Sequence, residues 1–188
     1  MLAGLGFGVF LDLKFHDIPN TVATAVAAAA ELPKVRLLTL HTLGGVAMMR
    51  AASAALGQEK NRPALLGVTL LTSMDETALR GVGIAGSASE VVLALARRAQ
   101  EAGLDGVVAS GQEARALRAQ CGPNFLIVAA GVRPLSVSAN DQSRVTTPSG
   151  AIQAGADYLV IGRPITEADD PRAAALAIVQ EIASTRRL

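Results

Sequence analysis

The stretch "FLDLKFHDIPNT", residues 10–21, decides how this chain is expected to fold. An apolar run typical of a buried strand, predicted over 8–15, meets the charged residues Asp12, Lys14 and Asp17 at its carboxyl end. A helix is predicted directly afterwards, over 21–32, with a cap at Asn20 or Thr21. Charges placed where a buried strand ends indicate an edge of the sheet at which polar chemistry takes place.

The same strand–helix pattern recurs along the whole chain. Short runs rich in Val, Ile and Leu alternate with longer Ala-rich amphipathic stretches, which gives six strand–helix units. Because the strands are continuously apolar, a parallel sheet covered by helices on both faces is expected. The predicted strands are 8–15, 35–41, 64–72, 106–110, 125–131 and 157–162, and the predicted helices are 21–32, 44–56, 87–103, 112–122, 147–155 and 170–187, with a helical turn at 75–80.

Two α/β folds fit this alternation, a doubly wound open sheet and a (β/α)8 TIM barrel. Polar residues decide between them, because a barrel gathers such residues from the carboxyl ends of many strands, whereas an open sheet concentrates them at one switch point. Here they follow strand after strand, at Lys14, His41, Thr72, Ser110, Arg133 and Arg163. We therefore predict one TIM-barrel domain over residues 1–188, incomplete because it has about six of the eight βα units, with the missing two expected before Met1.

Composition excludes several classes of function. Lys plus Arg number 17 and Asp plus Glu 16, so no general electrostatic attraction to nucleic acid or to a membrane surface is expected. The single cysteine, Cys121, excludes a disulfide framework within the chain and is interpreted as a structural residue at a helix end. No run is long enough for a membrane span, so a cytoplasmic protein is expected.

The opening motif has a chemistry of its own. Residues two apart on a strand point the same way, so Asp12 and Lys14 should face the same side. Neighbouring carboxylates favour the ammonium form of a lysine, which suits Lys14 to protonate a carbanion rather than to act as a nucleophile. A carboxylate beside it would repel an anionic group of a substrate and so favour its loss as carbon dioxide. The alternative is a strand-end ion pair with no catalytic role.

A phosphate site is predicted after the last two strands, where barrels often bind phosphate. The two loops carry Arg133 with Gln142, and Gly162 with Arg163. A guanidinium matches phosphate oxygens with two parallel hydrogen bonds, and a glycine lets a backbone N–H approach closely. The alternative is that Arg133 and Arg163 form ion pairs at the rim.

These stretches together resemble a known family. "FLDLKFHDIPNTV" is similar to the signature of the bacterial type of orotidine 5'-monophosphate decarboxylases, and "HTLGGVAMM", "VTLLTSM", "LDGVVAS", "GVRP", "DQSRV" and "GADYLVIGRPIT" follow in the expected order. The resemblance implies a TIM-barrel lyase that needs neither metal nor cofactor. It would convert orotidine 5'-phosphate to uridine 5'-phosphate (UMP) in pyrimidine biosynthesis, as a homodimer with shared active sites.

The resemblance also implies roles for individual residues. Lys14 would protonate carbon 6 of the pyrimidine, and Asp12 would lie against the departing carboxylate. Asp17, with Ile18 and Thr21, would reach into the partner subunit's site. The remaining substrate-binding positions would be Pro19, Asn20, Thr72, Arg133, Gln142, Gly162 and Arg163.

One departure from the family pattern stands beside the matches. The family's charged network also uses an Asp after the first strand and a Lys after the second, and both would precede Met1. We expect a sequence that starts late rather than a shortened relative, since every remaining site residue is present. Two alternative functions stay open, a magnesium-dependent sugar-phosphate decarboxylase of the same superfamily and a non-catalytic relative that binds phosphate or nucleotide.

Three further signals are set aside. "GVGIAG", residues 81–86, matches a dinucleotide-binding pattern, but a helical turn rather than a strand precedes it, so a loop is expected. His16 and His41 lack the spacing of a zinc site. His16 is interpreted as structural, and His41 is left without a role.

Overall fold

The computed structural model describes residues 2–57, 59, 61–134 and 144–185. Its strands are β1 Val9–Phe15, β2 Val35–His41, β3 Ala64–Val68, β4 Gly106–Ser110, β5 Leu126–Ala130 and β6 Tyr158–Leu159. Its α-helices are α1 Pro19–Ala30, α2 Gly45–Leu56, α3 Glu76–Gly81, α4 Ala88–Glu101, α5 Ala114–Cys121, α6 Pro148–Gln153, α7 Arg163–Thr166 and α8 Pro171–Thr185. Short 3-10 turns cover Leu2–Leu5 and Thr42–Gly44.

The strands follow one another in sequence order across a single sheet. β1 pairs with β2, β2 with β3 and β5 with β6, and each of these pairs is parallel. Helices separate successive strands, as parallel pairing requires, because a crossover must return the chain to the same end of the sheet. This arrangement confirms the predicted fold class, an incomplete TIM barrel.

The chain divides into two compact units. Unit 1 consists of Met1–Thr69 and Ala94–Val107, and unit 2 of Leu70–Leu93 and Val108–Leu188. That residues 1–188 form a single domain stays a prediction. No described helix has both the length and the apolar character needed to cross a membrane.

In unit 1, α1 packs against α2, and β1 lies beside β2. The alanine-rich sequence of α1 favours a helix and allows close packing, and its core side includes the buried Val22 and Val26. The predicted cap at Asn20 or Thr21 is wrong, because Pro19 already occupies the first turn and Ile18 holds the cap position without a side-chain bond. Proline suits that position, since its fixed φ matches a helix and its missing N–H is not needed there.

An aspartate ties β3 to the start of β4 in unit 1. The backbone N–H of Asp105 donates to the Leu65 carbonyl at 3.0 Å, and the Asp105 carboxylate accepts from the Leu65 N–H at 2.7 Å. Arg62 completes the site with two bonds to the same carboxylate, at 2.6 and 2.9 Å. The two bonds between Asp105 and Leu65 satisfy the backbone N–H and carbonyl groups of Leu65, near the amino end of β3.

Unit 2 repeats this device at β5. The N–H of Asp157 donates to the Ile127 carbonyl at 2.9 Å, and its carboxylate accepts from the Ile127 N–H at 2.7 Å. Arg118 donates to the same carboxylate at 2.7 Å. The core of unit 2 includes the fully buried Leu79, Val92, Leu117, Ile127 and Val128.

Two strands are each four residues shorter than predicted, and one helix was missed. β3 ends at Val68 rather than at residue 72, and β6 covers only Tyr158 and Leu159. Apolar residues continue past both strand ends, so hydropathy overestimated the strand lengths. The single-turn helix α7 begins at Arg163, where the sequence offers Pro164 as a helix-start signal. The stretch 81–86 begins at the last residue of α3 and is not preceded by a strand, which confirms that it lacks the context of a dinucleotide fingerprint.

Candidate active site

Asp12 and Lys14 of the opening motif are in contact at the end of β1, as their two-residue spacing predicted. Lys14 Nζ lies 2.5 Å from Asp12 Oδ2, and both side chains are about two-fifths exposed, at 40% and 41%. Solvent can therefore reach the ammonium group and return a proton to it. The two groups form a charge-assisted hydrogen bond that fixes the ammonium group beside the carboxylate.

Lys14 has an unusual backbone. Its φ is +51°, in the left-handed region that residues with a side chain rarely adopt. The pairing register between β1 and β2 shifts between Leu11 and Phe15, the interval that contains Lys14. A residue in this conformation costs about 1–3 kcal/mol and persists only where surrounding contacts hold it, often at functional sites.

Thr39 of β2 supplies such contacts, and sequence reasoning missed it. Its hydroxyl donates to Asp12 Oδ1 at 2.8 Å and accepts from the Lys14 backbone N–H at 2.9 Å. The residue is completely buried. A single hydroxyl group inside the apolar run "VRLLTLH" was the available signal, because a buried hydroxyl needs a partner.

Three of the predicted residues after β1, Asp17, Ile18 and Pro19, line a cleft in unit 1. Asp17 Oδ1 accepts a hydrogen bond from the Ile18 N–H at 2.6 Å, which holds the carboxylate at the start of α1. Pro19, Asn20 and Thr21 form the first turn of that helix and are exposed. The cleft has a volume of about 530 Å³ and is lined by His16, Asp17, Ile18, Pro19, Leu43 and Gly44.

The two histidines lie next to each other. The ring centroids of His16 and His41 are 5.5 Å apart. Burial lowers the pKa of His41 below its ordinary value of 6.5, the nearby His16 and Lys14 lower it further, and Asp12 raises it. The Nδ1 atom of His41 is buried and has no hydrogen-bond partner among the described residues. His41 is therefore expected to stay neutral near pH 7, beside the charged pair.

The predicted phosphate residues lie in unit 2. Arg133 is 4% exposed, and its backbone N–H donates to the Thr146 carbonyl at 2.9 Å. Gly162 precedes α7 and has open space where a side chain would begin, and the half-buried Arg163 is the first residue of that helix. Thr72, half-buried, falls in the turn that follows β3. Gln142 lies outside the described residues.

A metal site has no support in the described ranges. No group of three or more His, Cys, Asp or Glu side chains within residues 2–57, 59, 61–134 and 144–185 is arranged to hold a metal ion. The carboxylates described above are instead engaged with Lys14, Thr39 and the backbone at Ile18.

Comparison with known proteins gives one consistent result. Residues 1–178 match the model of the orotidine 5'-phosphate decarboxylase / HUMPS family. A protein of Nitrosococcus oceani named orotidine 5'-phosphate decarboxylase is 55% identical over 183 residues, which cover 97% of this chain and 78% of the relative. A protein of Trichlorobacter lovleyi with the same name is 56% identical over 177 residues, which cover 93% of this chain and 73% of the relative.

A solved structure gives the same relationship in three dimensions. The crystal structure of orotidine 5'-phosphate decarboxylase from Lactobacillus acidophilus superposes with a TM-score of 0.81 at 40% sequence identity. The match covers 96% of this chain and 78% of that protein. The likeness therefore extends over nearly all of the sequence.

Proposed function

Because this chain belongs to the orotidine 5'-phosphate decarboxylase / HUMPS family, we infer that it removes carbon dioxide from orotidine 5'-phosphate to give UMP. The structural observation that best supports this function is the contact between Asp12 and Lys14 at the end of β1. The activity is that of a carboxy-lyase in pyrimidine biosynthesis. The reaction needs one group that repels the carboxylate of the substrate and one that delivers a proton to carbon 6. Asp12 can supply the repulsion and Lys14 the proton.

Lys14 is proposed as the proton donor. When the bond between carbon 6 and the carboxylate breaks, carbon dioxide leaves and the electron pair stays on carbon 6. The Lys14 ammonium then gives one proton to that carbon, which completes the product. The neutral amine regains a proton from water, to which its partly exposed side chain has access.

Asp12 is proposed to act on the substrate carboxylate. Its own carboxylate is fixed by Thr39 and Lys14, so it cannot turn away when a second negative group is bound beside it. Repulsion between the two carboxylates weakens as carbon dioxide departs. The interaction therefore favours the transition state over the bound substrate.

The phosphate is proposed to be bound by the loops after β5 and β6. Arg133 and Arg163 would supply guanidinium groups, and Gln142 an amide. Gly162 would supply a backbone N–H, and the space that a side chain would occupy at this residue is open. Thr72 would contact the nucleotide. These assignments are supported by the chemistry of each residue and by its position after a strand.

We also propose a homodimer with shared active sites and a cytoplasmic location. Asp17, Ile18 and Thr21 would contribute to the partner subunit's site, with Pro19 and Asn20 beside them. The exposure of two large apolar residues at the cleft supports this, since Ile18 is 67% and Leu43 46% exposed. A cytoplasmic location follows from the proposed nucleotide chemistry.

The direct test incubates the purified chain with orotidine 5'-phosphate and follows UMP by its absorbance and by chromatography. Formation of UMP that is unchanged by a metal chelator is expected. Calorimetry with UMP should show binding that competes with the substrate. UMP binding without turnover would support a non-catalytic relative, and activity lost on chelation would support a magnesium-dependent decarboxylase.

A further inference from the structure

We propose that Thr39 is a positioning residue for decarboxylation, which acts by holding Asp12 and the Lys14 backbone in the geometry that the reaction needs. The proposal rests on the function inferred above, because it assigns to Thr39 an effect on that reaction. Thr39 would not touch the substrate. It would act through the two residues that do.

The geometry is a closed ring of hydrogen bonds. The Lys14 N–H donates to Thr39 Oγ1 at 2.9 Å, Thr39 Oγ1 donates to Asp12 Oδ1 at 2.8 Å, and Lys14 Nζ lies 2.5 Å from Asp12 Oδ2. Each oxygen of the carboxylate thus has its own donor. Thr39 is the fully buried member of the ring, while the other two side chains are partly exposed.

The direction of these bonds follows from the chemistry of a hydroxyl group. A hydroxyl has one proton to donate, and the backbone N–H of Lys14 can only donate to it. The proton of Thr39 is therefore directed at Asp12. This arrangement fixes the rotation of the carboxylate and leaves Oδ2 facing the ammonium group.

The left-handed backbone of Lys14 explains why such a hydroxyl is needed. At φ +51°, Lys14 lies within the interval where the β1–β2 register is broken, and its N–H bonds to a side chain of β2. A partly buried N–H without a partner is unfavourable, so the hydroxyl stabilises the unusual conformation. Without it, Lys14 is expected to relax toward ordinary strand geometry, and Nζ would then move relative to Asp12.

A merely structural role would have different consequences. A buried threonine that only fills space would affect stability when replaced, and valine would fill the same space. A positioning residue instead changes the rate of the chemical step at saturating substrate, because ground-state binding by the phosphate loops stays intact. The exchange rate of the Lys14 amide would change only if the hydrogen bond is present.

The experiment compares Thr39→Val, Thr39→Ser and Thr42→Val with the unaltered chain. Thr42 is the matched control, because it is 2% exposed and its hydroxyl donates to the Val68 carbonyl at 2.9 Å rather than to Asp12. We measure kcat and KM with orotidine 5'-phosphate, calorimetric binding of UMP, and hydrogen exchange of the Lys14 amide by NMR.

Thr39→Val is expected to lower kcat on the order of 10- to 100-fold, since small displacements of reacting groups have effects of that size. Its UMP affinity should match that of the unaltered chain, its Lys14 amide should exchange faster, and Thr39→Ser should restore both kcat and the slow exchange. Thr42→Val should leave kcat and Lys14 exchange unchanged.

Each contrary result has a separate meaning. Thr39→Val with unaltered kcat would overturn the positioning role, and unaltered Lys14 exchange would overturn the hydrogen bond itself. An equal loss of kcat in Thr42→Val would mean that any buried hydroxyl of this region matters, which also overturns the proposal. An unaltered chain that binds UMP but forms none from orotidine 5'-phosphate would contradict the proposed function instead.

Discussion

Glu113 and Arg144 form a buried ion pair in unit 2, and breaking it should destabilise the chain strongly. The side chains are 5% and 9% exposed, and Arg144 Nη1 donates to Glu113 Oε1 at 2.9 Å. Arg144 Nη2 donates to the Leu71 carbonyl at 3.0 Å, and the Arg144 carbonyl accepts from Ser110 Oγ at 3.1 Å. The pair thereby joins three separate segments of unit 2.

Glu113→Ala would leave the Arg144 guanidinium buried without its counter-charge. Removing one member of a buried pair typically costs about 3–5 kcal/mol. In a chain of this length about 2–4 °C of melting temperature is lost for each kcal/mol, so a decrease of roughly 6–20 °C is expected. Thermal unfolding followed by circular dichroism, with urea unfolding for the free energy, measures it.

The Glu113–Arg144 pair is incompletely hydrogen-bonded, so replacing both residues should be less harmful than removing one. Among the described residues, Glu113 Oε2 and Arg144 Nε have no partner. The double variant Glu113→Leu/Arg144→Met should therefore be more stable than Glu113→Ala alone, because no buried charge is left. Glu101→Ala is the control, since its bond to Arg97 is exposed and should contribute little. A Glu113→Ala variant that melts with the unaltered chain would refute the reasoning.

Three further predictions concern other residues. Asp157→Ala should destabilise the chain by about 1–3 kcal/mol, because the buried Ile127 N–H and Arg118 lose their shared acceptor, and a urea midpoint equal to that of the unaltered chain would contradict this. The pKa of His41 is lowered on folding, so the unfolded chain binds more protons, and the free energy of unfolding should fall as pH decreases below about 6.5. This decrease in stability should be smaller in His41→Gln. Parallel pH profiles of the variant and the unaltered chain would contradict the prediction. Burial raises the pKa of the Cys121 thiol, so iodoacetamide should modify it slowly at pH 7.5 and faster in urea, and equal rates would argue against its burial.

The alternation of strands and helices could be read directly from the sequence. β2 and β4 have the predicted bounds, 35–41 and 106–110, because each is a short apolar run enclosed by polar residues. Cys121 ends α5, as predicted, and the structure shows that it is buried. Hydropathy records burial rather than pairing, so it could not show that β3 stops at Val68.

The candidate site was predictable in composition but not in conformation. Two-residue spacing was enough to place Asp12 and Lys14 on one side of β1, and their contact confirms it. The left-handed backbone of Lys14 is stabilised by the hydroxyl of Thr39, which lies 25 residues away in the chain. No local sequence pattern predicts that contact. The roles of Arg133, Gly162 and Arg163 stay predictions, and Gln142 lies outside the described residues.

A pair of lysine variants tests whether the Lys14 ammonium protonates carbon 6 of the decarboxylated nucleotide. Lys14→Met removes the proton donor, whereas Lys34→Met removes an exposed lysine that also has a left-handed backbone, at φ +65°, and that has no part in the site. The measurement is the rate of UMP formation from saturating orotidine 5'-phosphate. Lys14→Met is expected to lose at least about 100-fold in rate while it retains UMP binding, and Lys34→Met is expected to keep an unchanged rate. A Lys14→Met variant that forms UMP as fast as the unaltered chain would contradict the proton-donor role of Lys14.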